Sequence, residues 1–267
     1  MSKTSKIILS LIACAAFVLG AVAFAPARLL EGAARAALAP SGDLINTVGT
    51  VWAGSGVLVL GALGQQGGGN GRGVNVPIAW QFAPTSLFKL RLGFDVIAKS
   101  DAISGIARAG IGFRNIDISG ADIKADASFI SALNDLIAFA GPRGTLQLKT
   151  NVGESVTFAY RGPISVGGKL TAQADNLALR TLFAQPVGSY EININFRDNL
   201  AEYSFVKSSG LLAFDGGGQV QWLPRREFAY NGTAKASPQA PLLFAALLPL
   251  GRPTLDGRIR IDYKGGW

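Results

Sequence analysis

Three patterns of apolar and polar residues follow one another along the chain. Ile7 to Ala25 is apolar except for Ser10; as a helix it spans roughly 28 Å, enough to cross a bilayer. Pro26 to Leu38 is rich in alanine and keeps a helical pattern that stops near Pro40 and a Ser41-Gly42 turn. From Leu44 onward, short runs with period-two alternation are separated by Gly, Asn, Asp and Pro, the pattern of antiparallel strands. The spacing predicts strands at 44–52, 55–61, 72–82, 90–98, 103–109, 111–118, 121–127, 144–150, 154–161, 164–175, 188–197, 200–206, 210–215, 217–222, 227–236 and 255–264.

The connections are short, so consecutive strands should pair as a meander. Between Ile103 and Lys124 only Gly110 and Gly120 separate the runs, and Arg197-Asp198-Asn199 reads as a hairpin turn. Two insertions read as helices. Ser128 to Ala140 sets Phe129, Leu133, Leu136 and Ile137 on one face before Gly141-Pro142, and Ser237-Pro238 offers a cap and first-turn proline for Gln239 to Leu248. No linker divides residues 41–267, which read as one antiparallel sheet system; two halves meeting near 128–143 are the alternative. A loose echo of strand, helix and Gly-rich strand at 128–150 and 237–264 is too weak to be a repeat.

Charge orients the first segment. Lys3 and Lys6 precede it, which predicts residues 1–6 in the cytoplasm, 7–25 as a transmembrane helix, 26–40 as its helical extension and 41–267 as a periplasmic β domain. Two other readings of this segment compete with the transmembrane one. Cleavage after Ala23-Phe24-Ala25 would leave Pro26 at the cut, where proline is poorly tolerated. Leu11-Ile12-Ala13-Cys14 resembles a lipobox, but apolar residues rather than a polar tether follow Cys14, which reads better as a small apolar residue in a membrane helix.

Composition removes most chemistry. The 267 residues include no histidine and one cysteine, so most hydrolase triads and zinc sites are excluded, and the sequence offers no catalytic residue, cofactor site or metal site. Charged residues are 16% and glycines number 34, a balance that favours strands and turns. The formal charge of +8 is spread singly, without the run or patch expected of a nucleic-acid binder. Gln65 to Gly73 is glycine-dense but lacks the GxxxxGK[ST] pattern and a strand-to-helix context, so it reads as a hairpin loop and not a phosphate cradle. Asp122/Asp126 and Asp256/Asp262 share strand parity, which places each pair on a solvated face. Arg225-Arg226, after Pro224, reads as an exposed pair able to meet a lipid phosphate or a carboxylate. Trp52, Trp80 and Trp222 fall in predicted strands, where a flat ring packs on the pleat.

Three short motifs, in order behind the anchor, resemble one family. Gly49-Thr50-Val51-Trp52-Ala53-Gly54 resembles the GT(V/L)WxG signature of general secretion pathway protein N, the N component of type II secretion systems. Trp80-Gln81-Phe82-Ala83-Pro84-Thr85-Ser86-Leu87 is similar to the family's WxLxPxxL segment, and Leu255-Asp256-Gly257-Arg258 through Tyr263 to its closing LDGR strand. The resemblance covers both ends, while 95–220 matches only in style, and the loop at 65–73 is richer in glycine than the family pattern. It implies a single-pass inner-membrane protein of the apparatus that exports folded proteins, with other inner-membrane or periplasmic components as partners. It also implies a mainly β body, a long curved or folded-over AsmA-like antiparallel sheet with a few short helices. An open apolar groove in such a sheet would instead suit a lipid-binding or envelope-maintenance module. Gly49, Thr50, Trp52, Gly54, Trp80, Pro84, Leu87, Asp256, Gly257, Arg258 and Tyr263 are the motif positions, expected to act through packing.

Overall fold

The computed structural model describes residues 13–14, 16–18, 20–38, 42–60, 74–132, 141–159, 165–179, 185–223 and 226–266. The chain is mainly β and forms two compact units, Met1–Phe82 and Ala83–Trp267. The division therefore falls earlier than the 128–143 segment at which the sequence allowed for two halves.

In the first unit, helix α1 (Arg28–Leu38) precedes strands β1 (Gly42–Gly49), β2 (Ala53–Leu60) and β3 (Val74–Ala83), which pair antiparallel in that order. Leu44, Val76 and Trp80 form its buried apolar centre, with Ala27 only 1% exposed. Carboxylate Glu31 of α1 accepts both the N–H and the hydroxyl of Thr47 in β1, at 3.0 and 2.7 Å, and one turn later Arg35 pairs with Asp43 at 2.9 Å. That four-residue spacing puts both side chains on one helix face. Among the described residues no helix is long and apolar enough to cross a membrane. Positions 7–12, 15 and 19 of the expected span lie outside those residues, and Cys14 is exposed.

The second unit is a large antiparallel sheet. A 3-10 turn (Pro84–Lys89) leads into β4 (Leu92–Lys99), β5 (Ile103–Ile111), β6 (Asn115–Asp126), β7 (Pro142–Lys149), β8 (Ser155–Ala159), β9 (Ser165–Leu179), β10 (Gly188–Asp198), β11 (Leu200–Gly210), β12 (Leu212–Gln221), β13 (Glu227–Ala236), β14 (Arg252–Pro253) and β15 (Ile259–Gly266). The hairpin at Arg197 to Asn199 forms as expected, with Asp198 at φ 56 and Arg197 facing Leu200.

Several strands differ from the alternation pattern, each for a local reason. The predicted 44–52 strand ends at Gly49, whose φ of 97 breaks the extended backbone. The three strands expected between 103 and 127 are two, because Gly120 (φ 56) lies inside β6 and does not end it. At that glycine β6 changes neighbours: 115–119 pair with β8 and 122–126 with β7. Strands β7 and β8 also pair with successive stretches of β9, so they occupy one lane interrupted by residues 150–154. Thr150 closes the gap by donating its N–H to the Ala121 carbonyl, at 3.0 Å, and accepting the Ala121 N–H on its hydroxyl, at 2.9 Å. The predicted pair 210–215 and 217–222 is the single strand β12, and Trp222 lies just past its end.

Helix α2 (Pro241–Leu247) opens on Pro241 and not on Ser237-Pro238, since the backbone from Ser237 to Ala240 first makes a turn, with Ala240 N–H on the Ser237 carbonyl. Its Leu243 and Leu247 pack with Ala234, Ile259 and Ile261 in the main buried cluster, where Ile259 is fully enclosed. The helix predicted from Ser128 to Ala140 is a 3-10 turn over Ala127–Ala132; its remainder lies outside the described residues, as does the loop at 65–73.

Candidate functional site

The first motif makes a joint within the first unit. With β1 ended at Gly49, residues 50–53 turn the chain back into β2: Thr50 N–H reaches the Ala53 carbonyl at 2.9 Å, and Ala53 N–H reaches the Thr50 hydroxyl at 3.1 Å. Trp52 is thus in the turn and not in a strand, where the alternation had placed it. Its indole Nε1–H donates to the Val22 carbonyl at 2.7 Å, while its ring meets Phe82 edge-on with centroids 5.2 Å apart. Val51 N–H donates to the Ala25 carbonyl and Ala27 N–H to the Gly49 carbonyl, at 2.9 and 3.0 Å, and Pro26 bridges Thr50. The end of the N-terminal helical segment is therefore stitched to the β1–β2 turn by backbone and side chain together. The Val22 carbonyl also accepts Ala25 N–H at 3.3 Å, so Trp52 adds a second donor where the helix ends and carbonyls lose their regular partners.

Behind the turn, Trp80 is 7% exposed and its indole donates to the carbonyls of Thr50 and Val51 at 3.3 and 3.2 Å. Gly54 faces Trp80 across the strands, and a Cβ there would stand 2.7 Å from the indole ring and 2.5 Å from the Val48 carbonyl. Gly49, Thr50, Trp52, Gly54 and Trp80 are thus brought together. The family resemblance marked these positions; the hydrogen bonds to Val22, Thr50 and Val51 the sequence did not reveal, because they depend on main-chain acceptors that carry no residue signature.

Pro84 and Leu87 belong to the 3-10 turn of the second unit. Pro84 is its first residue, suited by a fixed φ, and the Leu87 carbonyl accepts Leu90 N–H at 2.9 Å. The turn is stitched to β4 by Ser86, whose hydroxyl donates to the Ala83 carbonyl and accepts Gly93 N–H.

Asp256, Gly257 and Arg258 form the turn from β14 to β15. Gly257 stands at φ 75, Thr254 N–H reaches the Arg258 carbonyl at 2.8 Å, and the Arg258 guanidinium lies 3.1 Å from Asp256 and 3.7 Å from Asp215. The Thr254 hydroxyl, bonded to Asp256, holds that carboxyl below its ordinary value. Asp126 is lowered likewise by the hydroxyl and N–H of Ser128, and Asp122 accepts the Gln147 amide. These acids serve turns and cross-strand bonds. Among the described residues no group of three or more acids or cysteines could hold a metal ion.

Tyr263 belongs elsewhere, to an aromatic surface on β11 to β15. Tyr203, Phe205, Phe214, Phe228, Tyr230 and Tyr263 line an open groove of about 480 Å³ with Ile261 and Leu250. Tyr203 stacks on Phe228 at 5.9 Å, and Phe205 on Phe214 at 5.4 Å. Two of these phenols turn into the backbone, Tyr203 donating to the Ala229 carbonyl and Tyr230 to the Asp215 and Thr233 carbonyls, and Tyr190, outside the groove, donates to the Leu212 carbonyl. Burial pushes all three hydroxyls up to about 12. Each ring can lie flat because a glycine is its neighbour; a Cβ on Gly232 would come within 2.6 Å of the Tyr230 hydroxyl oxygen. Gly188-Ser189-Tyr190, Tyr230-Asn231-Gly232 and Tyr263-Lys264-Gly265 share this two-residue spacing, a signal present in the sequence but not read from it.

Neither the curated proteins nor the solved structures include a match. Residues 43–262, most of the chain and including the middle that the motifs leave uncovered, match the family described as type II secretion system (T2SS), protein N. The β1–β2 turn that carries Trp52, the Pro84 turn and the Arg258 turn all fall inside that match, and the chain belongs to the type II secretion system protein N family.

Proposed function

We propose that this chain is an inner-membrane-anchored component of the type II secretion apparatus, with its β units in the periplasm, acting in the export of folded proteins through protein contacts and without catalysis. The observation that carries the reading is the joint at Trp52. A family member whose signature turn is bonded to Val22, Ala25 and Ala27 uses that signature to hold a sheet against the end of its N-terminal helical segment. A single apolar span at 7–25 with its N-terminus in the cytoplasm gives the joint a mechanical purpose, and the motif residues are then structural. Contacts with other components have a candidate place on β15. Among the described residues β14 pairs only with Ile259 and Arg260, so the rest of β15 has a strand on one side alone. A free edge of this kind accepts a partner strand.

Deletion of the gene tests the reading. The expected result is that exoproteins accumulate in the periplasm and that the full-length protein copurifies with inner-membrane parts of the apparatus. Intact export after deletion overturns it.

A second reading rests on the aromatic groove, whose lining is apolar and whose Tyr203 and Tyr230 phenols donate into the backbone. Such a surface suits an acyl chain, as a lipid-binding or envelope-maintenance module would require. Native mass spectrometry of the purified protein would then detect lipid, and photo-crosslinkers at Phe228 or Tyr263 would label it. An empty protein without crosslinks removes this reading.

A further inference from the structure

Strand registers fix which residues of the second unit share one end of its sheet. Leu92 faces Ile111, Ile111 faces Ile116, Ile116 faces Phe158, Phe158 faces Val166 and Val166 faces Asp198. The row continues from Arg197 to Leu200, Gln221 and Glu227. The turns along it repeat one chemistry, an apolar or aromatic side chain next to a cation.

At the first, Phe88 and Leu90 are 92% and 93% exposed, followed by Arg91. Leu90 is held at φ 53 and ψ 41, a left-handed conformation that branched apolar residues rarely adopt, so local constraint keeps this side chain outside the sheet. At the second, Phe113 is 74% exposed and precedes exposed Arg114. At the β10–β11 and β12–β13 turns, Phe196 and Trp222 meet at 6.5 Å, with exposed Arg197 following the first and the exposed Leu223 and Arg226 following the second in sequence. Arg91 is paired with Asp117, and Asp198 accepts a hydrogen bond from Ser165, but among the described residues Arg114, Arg197 and Arg226 make no ion pair. Arg258, at the opposite end, is held by two carboxylates.

We propose that this end of the second unit rests on a bilayer surface bearing anionic headgroups. Phe88, Leu90 and Phe113 enter the interfacial layer, and the unpaired arginines meet lipid phosphates. Aromatic rings beside Arg and Lys are the composition of membrane boundaries, where a ring spans the polarity gradient and a long cation reaches the headgroups. A protein partner is the weaker fit, since protein interfaces exclude charge from their centre, and here a cation accompanies the apolar residues in each described turn. The chain's formal charge of +8 has the matching sign. The inference rests on the anchored reading above and adds a second, peripheral contact with the same membrane.

The test uses the full chain with Cys14→Ala, reconstituted in bilayers containing phosphatidylglycerol and brominated lipid. Single cysteines at Phe17, Asp101, Phe113 or Leu223 carry an environment-sensitive fluorophore; Asp101 is in the β4–β5 turn at the opposite end. Quenching is expected at Phe113 and Leu223 about threefold above that at Asp101, falling toward the Asp101 level in zwitterionic bilayers. Arg114→Glu, Arg197→Glu and Arg226→Glu together should lower it at both positions while leaving quenching at Phe17 and the circular dichroism spectrum unchanged. Quenching at Phe113 no greater than at Asp101, with Phe17 quenched, overturns this inference alone. Absence of quenching at Phe17 overturns the anchored reading and the inference with it. Shielding of Phe113 that arises only when other secretion components are added, without lipid quenching, assigns this end to a protein partner and overturns the proposal.

Discussion

The indole N–H of Trp52 donates to the carbonyl of Val22, thirty residues earlier, at 2.7 Å. The same ring rests edge-on against Phe82, so one side chain performs two separable tasks. Trp52→Phe removes the hydrogen bond but keeps an aromatic contact, and should destabilise the joint by about 1 kcal/mol. Trp52→Ala removes both and should reach about 3 kcal/mol. Amide hydrogen exchange at Val51 and Ala27 reads the effect; protection equal to wild type in Trp52→Ala would show that the backbone bonds suffice.

Two motif glycines should respond differently to the same change. At Gly54 a methyl group meets the Trp80 ring and a carbonyl, so Gly54→Ala must displace buried structure at a cost of about 3 kcal/mol. At Gly257 nothing lies within 4 Å, and only the φ of 75 opposes a side chain, for about 1 kcal/mol. Urea unfolding midpoints of the two variants decide whether steric contact or backbone conformation dominates.

Glu31 gives the helix joint a pH dependence. The Thr47 N–H and hydroxyl stabilise its charged form, holding the carboxyl below its ordinary value of 4.5. A folded-state value that is depressed contributes stability above 4.5 that is lost as pH falls through the lowered value. Acid titration of thermal stability should therefore show a loss beginning below 4.5 in wild type that is smaller in Glu31→Gln. Equal acid sensitivity would place the effect on other carboxylates.

At the alkaline extreme the sign reverses. Tyr190, Tyr203 and Tyr230 are raised from 10.0 to about 12 by burial, so their contribution is complete below 10.0 and is lost as pH rises through about 12. Absorbance titration should show three phenols ionising together with loss of the near-ultraviolet dichroism of the aromatic cluster. Ionisation near pH 10.0 in the folded protein would mean that water reaches the phenol groups themselves.

Ile259 is fully enclosed between β13 and α2. Ile259→Ala should destabilise the second unit by about 2–5 kcal/mol, measured by calorimetry. A smaller value would mean that α2 moves in to fill the space.

Much of this architecture is written in alternation. Strand β13 begins and ends where the pattern predicts, and the Asp198 hairpin forms where its turn residues stand. What alternation could not reveal is where a glycine ends a strand and where it does not. Gly49 ends β1 because its backbone leaves the extended region at a chain reversal, whereas Gly120 stays inside β6 because neighbouring lanes change beside it. Local sequence is nearly silent on that difference, since it depends on what lies alongside. The motif positions were legible through family resemblance. Their partners at Val22, Thr50 and Val51 were not, because a carbonyl oxygen is the same at every residue.

The split lane of β7 and β8 leaves a further consequence. Elsewhere from β4 to β13 each strand pairs with the one made just before it, so contacts can close soon after the residues become available. Only at the split must β6 wait, holding 115–119 ready until β8 has followed β7 and the 150–154 excursion. For a chain delivered N-terminus first, that delay divides assembly into an early sheet up to β6 and a later one from β9. The residence time of a half-paired β6 becomes the step most open to capture by a chaperone or a foreign strand.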